Sequence, residues 1–583
     1  MIRAIRLLAG LGMVLLTACA VGPVAPSAGA GAGAADADAA AEQAAVERAG
    51  GDYPVRPFPT QTLSALLAAE IAGVRGDVGF ALAQYREQAR STGDSGVIAR
   101  AAQIAQYAGD EAAATELANQ WVALESDNPQ ARELLVAGLL RAGRAADALP
   151  HAVFLLRQGD GQAFRQVTAA AARQPAEERR KLLAAYQELL REAPDDAEVL
   201  FGNALLLWEE QRVDEARALA ERAVRARPEE PARHLLYAQL LDESGLPGEA
   251  LDHLERALRE HAGDTSFSRA YVRLLFARND VALALARLVP LVERYPDDPA
   301  LRFGLALAYR ESGQVTRARE QFERLIEDPE IGDDARFHLA QVLEAAGDVP
   351  GAVALYRRVQ KGYWLPATAR LAGLLADSGD LPAARRHLDE ARAQRAADAV
   401  ALYQVEAELL MRAAAYTEAR ELLTQGLVHH PGSVELLYAR SLAHEKLGDI
   451  AAVEADLRAI LAIDAENASA LNALGYSLAN HTDRFDEAQA LIEKALVLEP
   501  DDAAIIDSLG WVLYRRGEHQ RALAELQRAA ALLPDPEVAA HLGEVLWVMG
   551  ERERARSIWG EALKQFPEDR LIRETMHRLQ VDS

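Results

Sequence analysis

The chain has 583 residues, 50% of them hydrophobic and 26% charged, the balance of a folded, water-soluble protein rather than a disordered or membrane-spanning one. Its 88 acidic side chains outnumber 63 Lys and Arg, for a net charge of −25, which argues against a general binder of nucleic acid or anionic membrane, since either needs a basic excess. Aromatics are only 6%, and long runs of Ala, Leu, Glu and Arg, the strongest helix formers, predict an all-α protein whose partners are other proteins.

Residues 1–18 join a basic start, Arg3 and Arg6, to an apolar run from Leu7 to Ala18, the layout of a signal peptide. Twelve apolar residues are too few to span a bilayer, which takes roughly twenty. The run ends in Leu16-Thr17-Ala18-Cys19, and Cys19 is the sole cysteine. This resembles the lipobox of bacterial lipoproteins, which implies cleavage before Cys19 and acylation of its thiol. An ordinary secretory signal with an incidental cysteine is the alternative. Several acyl chains, at about 0.8 kcal/mol per buried CH₂, would tether the protein firmly to a membrane surface. Ala20 in the second mature position resembles the pattern that sorts such lipoproteins to the outer membrane, facing the periplasm.

Residues 19–59 are rich in Gly, Ala and Pro, with one short possible helix near Ala39 to Ala49. As a flexible coil the segment separates its ends by on the order of 35 Å, enough to lift the body off a membrane. Its alternating glycines, Gly29, Gly31 and Gly33, follow no strand and open no helix, so they form no nucleotide loop.

From residue 60 onward helices dominate. Residues 60–194 read as irregular helical hairpins, and a regular array follows over 195–567. Ala216, Ala250, Ala284, Ala318 and Ala352 recur every 34 residues. Three of the fullest units are Leu305-Ala306 with Tyr309, Ala318 and Phe322; Leu509-Gly510 with Leu513, Ala522, Leu526 and Pro534; and Leu542-Gly543 with Leu546, Ala555, Trp559, Ala562 and Pro567. This resembles the tetratricopeptide repeat, in which two antiparallel helices cross at small side chains and a proline closes the unit. One unit alone buries too little, so stacked neighbours share a core, and a superhelical α-solenoid is expected. Residues 568–583 should supply a terminal capping helix and tail.

The chemistry of enzymes is not apparent. Five acidic pairs, Asp195-Asp196, Glu229-Glu230, Asp297-Asp298, Asp333-Asp334 and Asp501-Asp502, follow the ends of repeats, where carboxylates are expected to serve the next helix N-terminus. The 13 histidines show no zinc-ligand spacing, and no serine elbow, phosphate loop or cysteine nucleophile is present. No enzymatic activity, cofactor or metal is expected. What remains is a surface. First helices of such hairpins line the inner face of the array, and in the last three units that register selects Tyr476, Trp511, Tyr514 and Trp547, with Asn472 and Arg515 beside them. An aromatic row with hydrogen-bonding groups suits a peptide; the alternative is that the rings pack between helices.

A lipobox, a tether and some fourteen helical hairpins resemble the outer-membrane tetratricopeptide lipoproteins of proteobacteria, and within them the lipoprotein adaptors that activate periplasmic carboxyl-terminal processing proteases. The resemblance is carried by Leu63-Ser64-Ala65-Leu66-Leu67-Ala68-Ala69-Glu70, Ala81 with Tyr85, Gly96-Val97-Ile98-Ala99-Arg100-Ala101, Asp507-Ser508-Leu509-Gly510-Trp511, and the run from Pro534 to Gly543. The C-terminal phrases are widely shared among such lipoproteins and the N-terminal block is more particular. The resemblance implies a scaffold that docks a protease and presents substrates such as cell-wall hydrolases. A scaffold for pilus or polysaccharide-export assembly, and a cell-wall enzyme hidden in the irregular N-terminal part, are the two other classes the sequence leaves open.

Overall fold

The computed structural model describes residues 59–261 and 263–581; the signal peptide, Cys19 and the tether lie outside them. The described residues hold 31 α-helices and no strand, arranged as a solenoid of antiparallel hairpins. They fall into two compact units, one ending at Ser312 and one beginning at Gly313. The first carries seven hairpins, from the Thr60–Val74 helix to Val281–Arg294, and ends in the Pro299–Glu311 helix. The second begins with Val315–Glu323, continues through seven hairpins from Gly332–Ala345 to Arg552–Gln565, and closes with the single Arg570–Arg578 helix.

The periodic alanines sit on the packed faces of their helices. Ala216, Ala250, Ala284, Ala318 and Ala352 are all buried. Where the sequence has Leu-Gly, the glycine is the facing small residue: a Cβ at Gly510 would lie 2.6 Å from Leu526 Cγ, and one at Gly543 only 2.2 Å from Trp559 Nε1. Such contacts are shorter than any van der Waals approach, so a hydrogen at these positions sets how closely the helices pack.

Most turns between consecutive helices hold one residue with positive φ. Glycine holds that slot at 245, 313, 347, 379, 448, 517 and 550, whereas Gln211, Asn279 and Ala414 adopt it with φ of 61°, 53° and 57°. Asn tolerates this conformation; Gln and Ala carry its steric cost.

All five acidic pairs stand at the start of a helix, and three of them supply a side-chain cap. Asp196 accepts from Glu198 and Val199 N–H, Asp298 from Leu301 N–H, and Asp502 from Ala504 and Ile505 N–H. Glu230 precedes a helix but makes no side-chain cap, its extra methylene placing the carboxylate beyond the first-turn amides. Asp333 and Asp334 lie in the first turn of the Gly332–Ala345 helix; Asp333 is buried, and its Oδ2 accepts from Gln360 N at 3.2 Å and Lys361 N at 2.9 Å, tying down a later loop.

Between Gly159 and Pro194, where the repeat signature lapses, a hairpin forms nonetheless from Gln162–Ala172 and Ala176–Glu192. The crossing is made with bulk instead of small residues. Tyr186 is wholly buried, shares a 2.9 Å hydrogen bond with Thr168, and fits because Gly202 on the next helix has no side chain, a Cβ there falling 2.6 Å from the ring.

Candidate partner-binding row

Six residues of the expected row stand on three successive first helices of the second unit: Asn472 and Tyr476 on Ala468–His481, Trp511, Tyr514 and Arg515 on Ala503–Arg515, and Trp547 on Pro536–Val548. Asn467, Asp502 and Asp535 cap these helices by accepting from first-turn N–H groups, which fixes where each helix starts and hence its rung register.

The structure ties the row together through residues that the register did not single out. Tyr476 Oη donates to Glu537 Oε1 at 2.7 Å, two hairpins further on. Asp507 and His541, one period apart, form a buried pair, Oδ2 to Nδ1 at 2.8 Å. Trp511 stacks on His541 with ring centroids 4.1 Å apart and planes 21° from parallel, and its other neighbour is the Tyr514 ring at 5.2 Å. Tyr514 Oη donates to Glu544 Oε1 at 3.1 Å, and Arg578 of the closing helix donates to the same carboxylate at 2.9 Å. Asp507 and His541 had a sequence signal, an acid and a histidine one period apart near the same rung. Arg578, on the closing helix outside the repeat, had none.

Exposure separates the six. Trp511 is only 7% exposed, so its ring is packing between hairpins, and its Nε1 has no hydrogen-bond partner. Asn472, Tyr476, Tyr514, Arg515 and Trp547 are half-buried. Arg515 donates to the Asn480 carbonyl at 3.0 Å and lies 5.4 Å from the Phe485 ring centroid. Trp547 is faced by the Arg552 and Arg556 guanidiniums at 5.0 and 5.4 Å and by Trp559 at 6.0 Å. The open part of the row is therefore amphipathic: ring edges and hydroxyls set among fixed charges.

The electrostatics follow from burial and those charges. Burial, followed by the Glu537 carboxylate, pushes the Tyr476 hydroxyl far above its ordinary range, and burial with Glu544 raises Tyr514 to about 12; both stay protonated donors. Burial pushes the His541 imidazole down, but the Asp507 carboxylate more than offsets it and leaves the net value above the ordinary one. The arrangement offers aromatic faces and protonated hydroxyl donors side by side. Among the described residues no group of three His, Cys, Asp or Glu side chains is placed to hold a metal, and no helix is long and apolar enough to cross a membrane.

The tetratricopeptide repeat family matches residues 183–231, 203–265, 269–330, 306–364 and 472–535. A TPR repeat-containing protein of Pseudomonas aeruginosa is 38% identical over 505 residues, 86% of this chain and 85% of its own length. Among solved structures, yeast Tom70 is 13% identical, covering 89% of this chain and 99% of its own at a TM-score of 0.35. A tetratricopeptide repeat protein of Parabacteroides merdae is 15% identical, covering 52% of this chain and all of its own at a TM-score of 0.32.

Proposed function

Since the chain belongs to the tetratricopeptide repeat family, whose stacked hairpins serve as protein-binding scaffolds, we propose that it is a non-catalytic adaptor, lipid-anchored through Cys19 at the outer membrane, that docks a periplasmic carboxyl-terminal processing protease and presents substrates to it. The observation that carries the binding reading is the half-buried row of Tyr476, Tyr514, Arg515 and Trp547 on consecutive first helices, where an extended segment finds aromatic faces and hydrogen-bonding groups at once. The choice of a protease partner draws its support from the N-terminal block Leu63 to Glu70 and from the Cys19 signal. Cell-wall hydrolases are the substrate class that the same resemblance implies.

Two experiments test the proposal. The purified protein, inert alone, is expected to accelerate degradation of a cell-wall hydrolase by the processing protease of the same organism; an unchanged rate with a stable, stoichiometric complex of other envelope proteins would favour a passive assembly scaffold. A Cys19→Ala variant is expected to leave the membrane fraction, and its persistence there in high salt would refute the anchor.

A further inference from the structure

The first unit contains a cluster of charge that the hairpin packing does not use up. Glu198, in the first turn of the Ala197–Glu209 helix, is 3% exposed. Three guanidiniums from different helices or helix ends converge on its Oε1: Arg165 Nη1 at 2.6 Å, Arg233 Nη2 at 3.0 Å and Arg227 Nη1 at 3.8 Å. One carboxylate oxygen cannot neutralise three cations. The further acid recorded against them is Glu229, 65% exposed and 3.9 Å from Arg227 Nε.

Arg233 shows the deficit most clearly. It is 2% exposed, yet its Nε and Nη1 are buried without any hydrogen-bond partner. An unpaired buried donor on a charged group is costlier than one on a neutral group, and a nearby anion offsets that cost. Arg165 and Arg227 differ in kind, being 42% and 51% exposed, while Arg233 and Glu198 lie buried behind them. Gly161 borders the cluster, since a Cβ there would come within 3.1 Å of Glu198 Oε1 and 3.2 Å of Arg165 Nη1.

A second buried glutamate carries the opposite balance of charge. Glu406 accepts from Arg385 at 2.9 Å and Arg392 at 2.6 Å, and those arginines are also paired with Glu418 and Asp389, so acids there outnumber bases. At Glu198 the bases outnumber the acids, in a chain of net charge −25. The general repulsion of that charge is screened beyond about 10 Å at 0.1 M salt, so it does not decide what happens at this cluster.

We propose that Arg165, Arg227 and Arg233 form an anion-binding site, built around Glu198, that takes a carboxylate or phosphate group presented by a ligand. Glu198 holds the guanidiniums apart and oriented, Arg233 adds its buried charge from behind, and the incoming anion accepts from the exposed Arg165 and Arg227, whose forked geometry suits both oxyanions. This site lies outside the aromatic row and does not depend on the adaptor reading.

The test is calorimetric titration of the full chain at constant ionic strength with three probes: inorganic phosphate, a short acetylated alanine peptide with a free terminal carboxylate, and the same peptide amidated. Saturable binding of phosphate, of the free carboxylate, or of both is expected, with none for the amide, and the pattern tells which source the arginines prefer. The Arg165→Gln/Arg227→Gln double variant, altered only at exposed side chains, should retain its helical circular dichroism and bind at least about tenfold more weakly, the scale of one charge-assisted hydrogen bond. Glu198→Gln, which removes the internal competitor, should bind more tightly. No saturable binding to the wild-type chain, or equal binding by the double variant, overturns the proposal.

Discussion

Replacing Trp511 with alanine distinguishes a packing ring from a binding ring. The side chain is 7% exposed, stacked on His541 and flanked by Tyr514. An aromatic of this size buries on the order of 200 Å², which at about 25 cal/mol per Å² is worth roughly 5 kcal/mol; partial collapse of the site brings the expected loss to about 3–5 kcal/mol. Because a stack of hairpins is stabilised by its neighbours, that loss falls on the last three hairpins rather than on the whole chain. Hydrogen exchange should show the amides of 503–515 and 536–548 losing protection, with an early phase appearing in urea unfolding. Trp547→Ala, which removes a half-buried ring facing two arginines, should lower stability by only about 1–2 kcal/mol while weakening partner binding by about 2 kcal/mol or more. Wild-type protection in Trp511→Ala together with lost partner affinity would refute the reasoning and make Trp511 a contact residue.

Other outcomes follow from the same geometry. Gln211→Gly and Ala414→Gly relieve a positive φ and should each raise the denaturation midpoint by the equivalent of about 0.5–1 kcal/mol, the strain relieved less the entropy glycine adds to the unfolded chain. Gly543→Ala places a methyl group against Trp559 and should cost about 1–3 kcal/mol in the same assay. The raised His541 imidazole contributes stability in full below its unfolded value of about 6.5 and loses it as pH climbs through the higher folded value, so the stability gap between wild type and His541→Gln should shrink on going to alkaline pH. His253 runs the other way: burial, then the neighbouring His234, hold it down at about 4, so the folded chain resists a proton that the unfolded chain accepts. Stability should fall by about 3 kcal/mol between pH 6.5 and 4 from this group, and His253→Asn should flatten that slope.

The helical hairpins were legible because their spacing has a local cause: Ala216 and its successors, and Gly510 and Gly543, are small where one helix presses on the next, and that requirement repeats every turn of the array. Where Tyr186 lies over Gly202 instead, the same crossing is made with different residues and the pattern is lost to the eye although the hairpin persists. The binding row was legible in register but not in depth. Whether a ring on a first helix faces a partner or the interior depends on what the following hairpin sets against it. His541 stacks on Trp511, and no property of Trp511 or its sequence neighbours announces that. The arginines around Glu198 escaped for a similar reason: Arg165 and Arg233 lie 33 and 35 residues away, so they register as ordinary surface charges until the rungs are aligned in space.

The hydrogen bond from Tyr476 to Glu537 has a consequence for how such a chain can change length. Arrays of identical modules grow and shrink by gain or loss of whole units, because each unit touches only the next, and excising one leaves matching surfaces to rejoin. Here a side chain reaches over an intervening hairpin, so removing residues 503–532 would bring Tyr476 beside the wrong rung and strip His541 of Asp507 in the same stroke. The last three hairpins are thus indivisible in a way that a plain repeat is not. Duplication or deletion has freer play in stretches bound only to immediate neighbours, while this end of the chain is constrained to vary by point substitution.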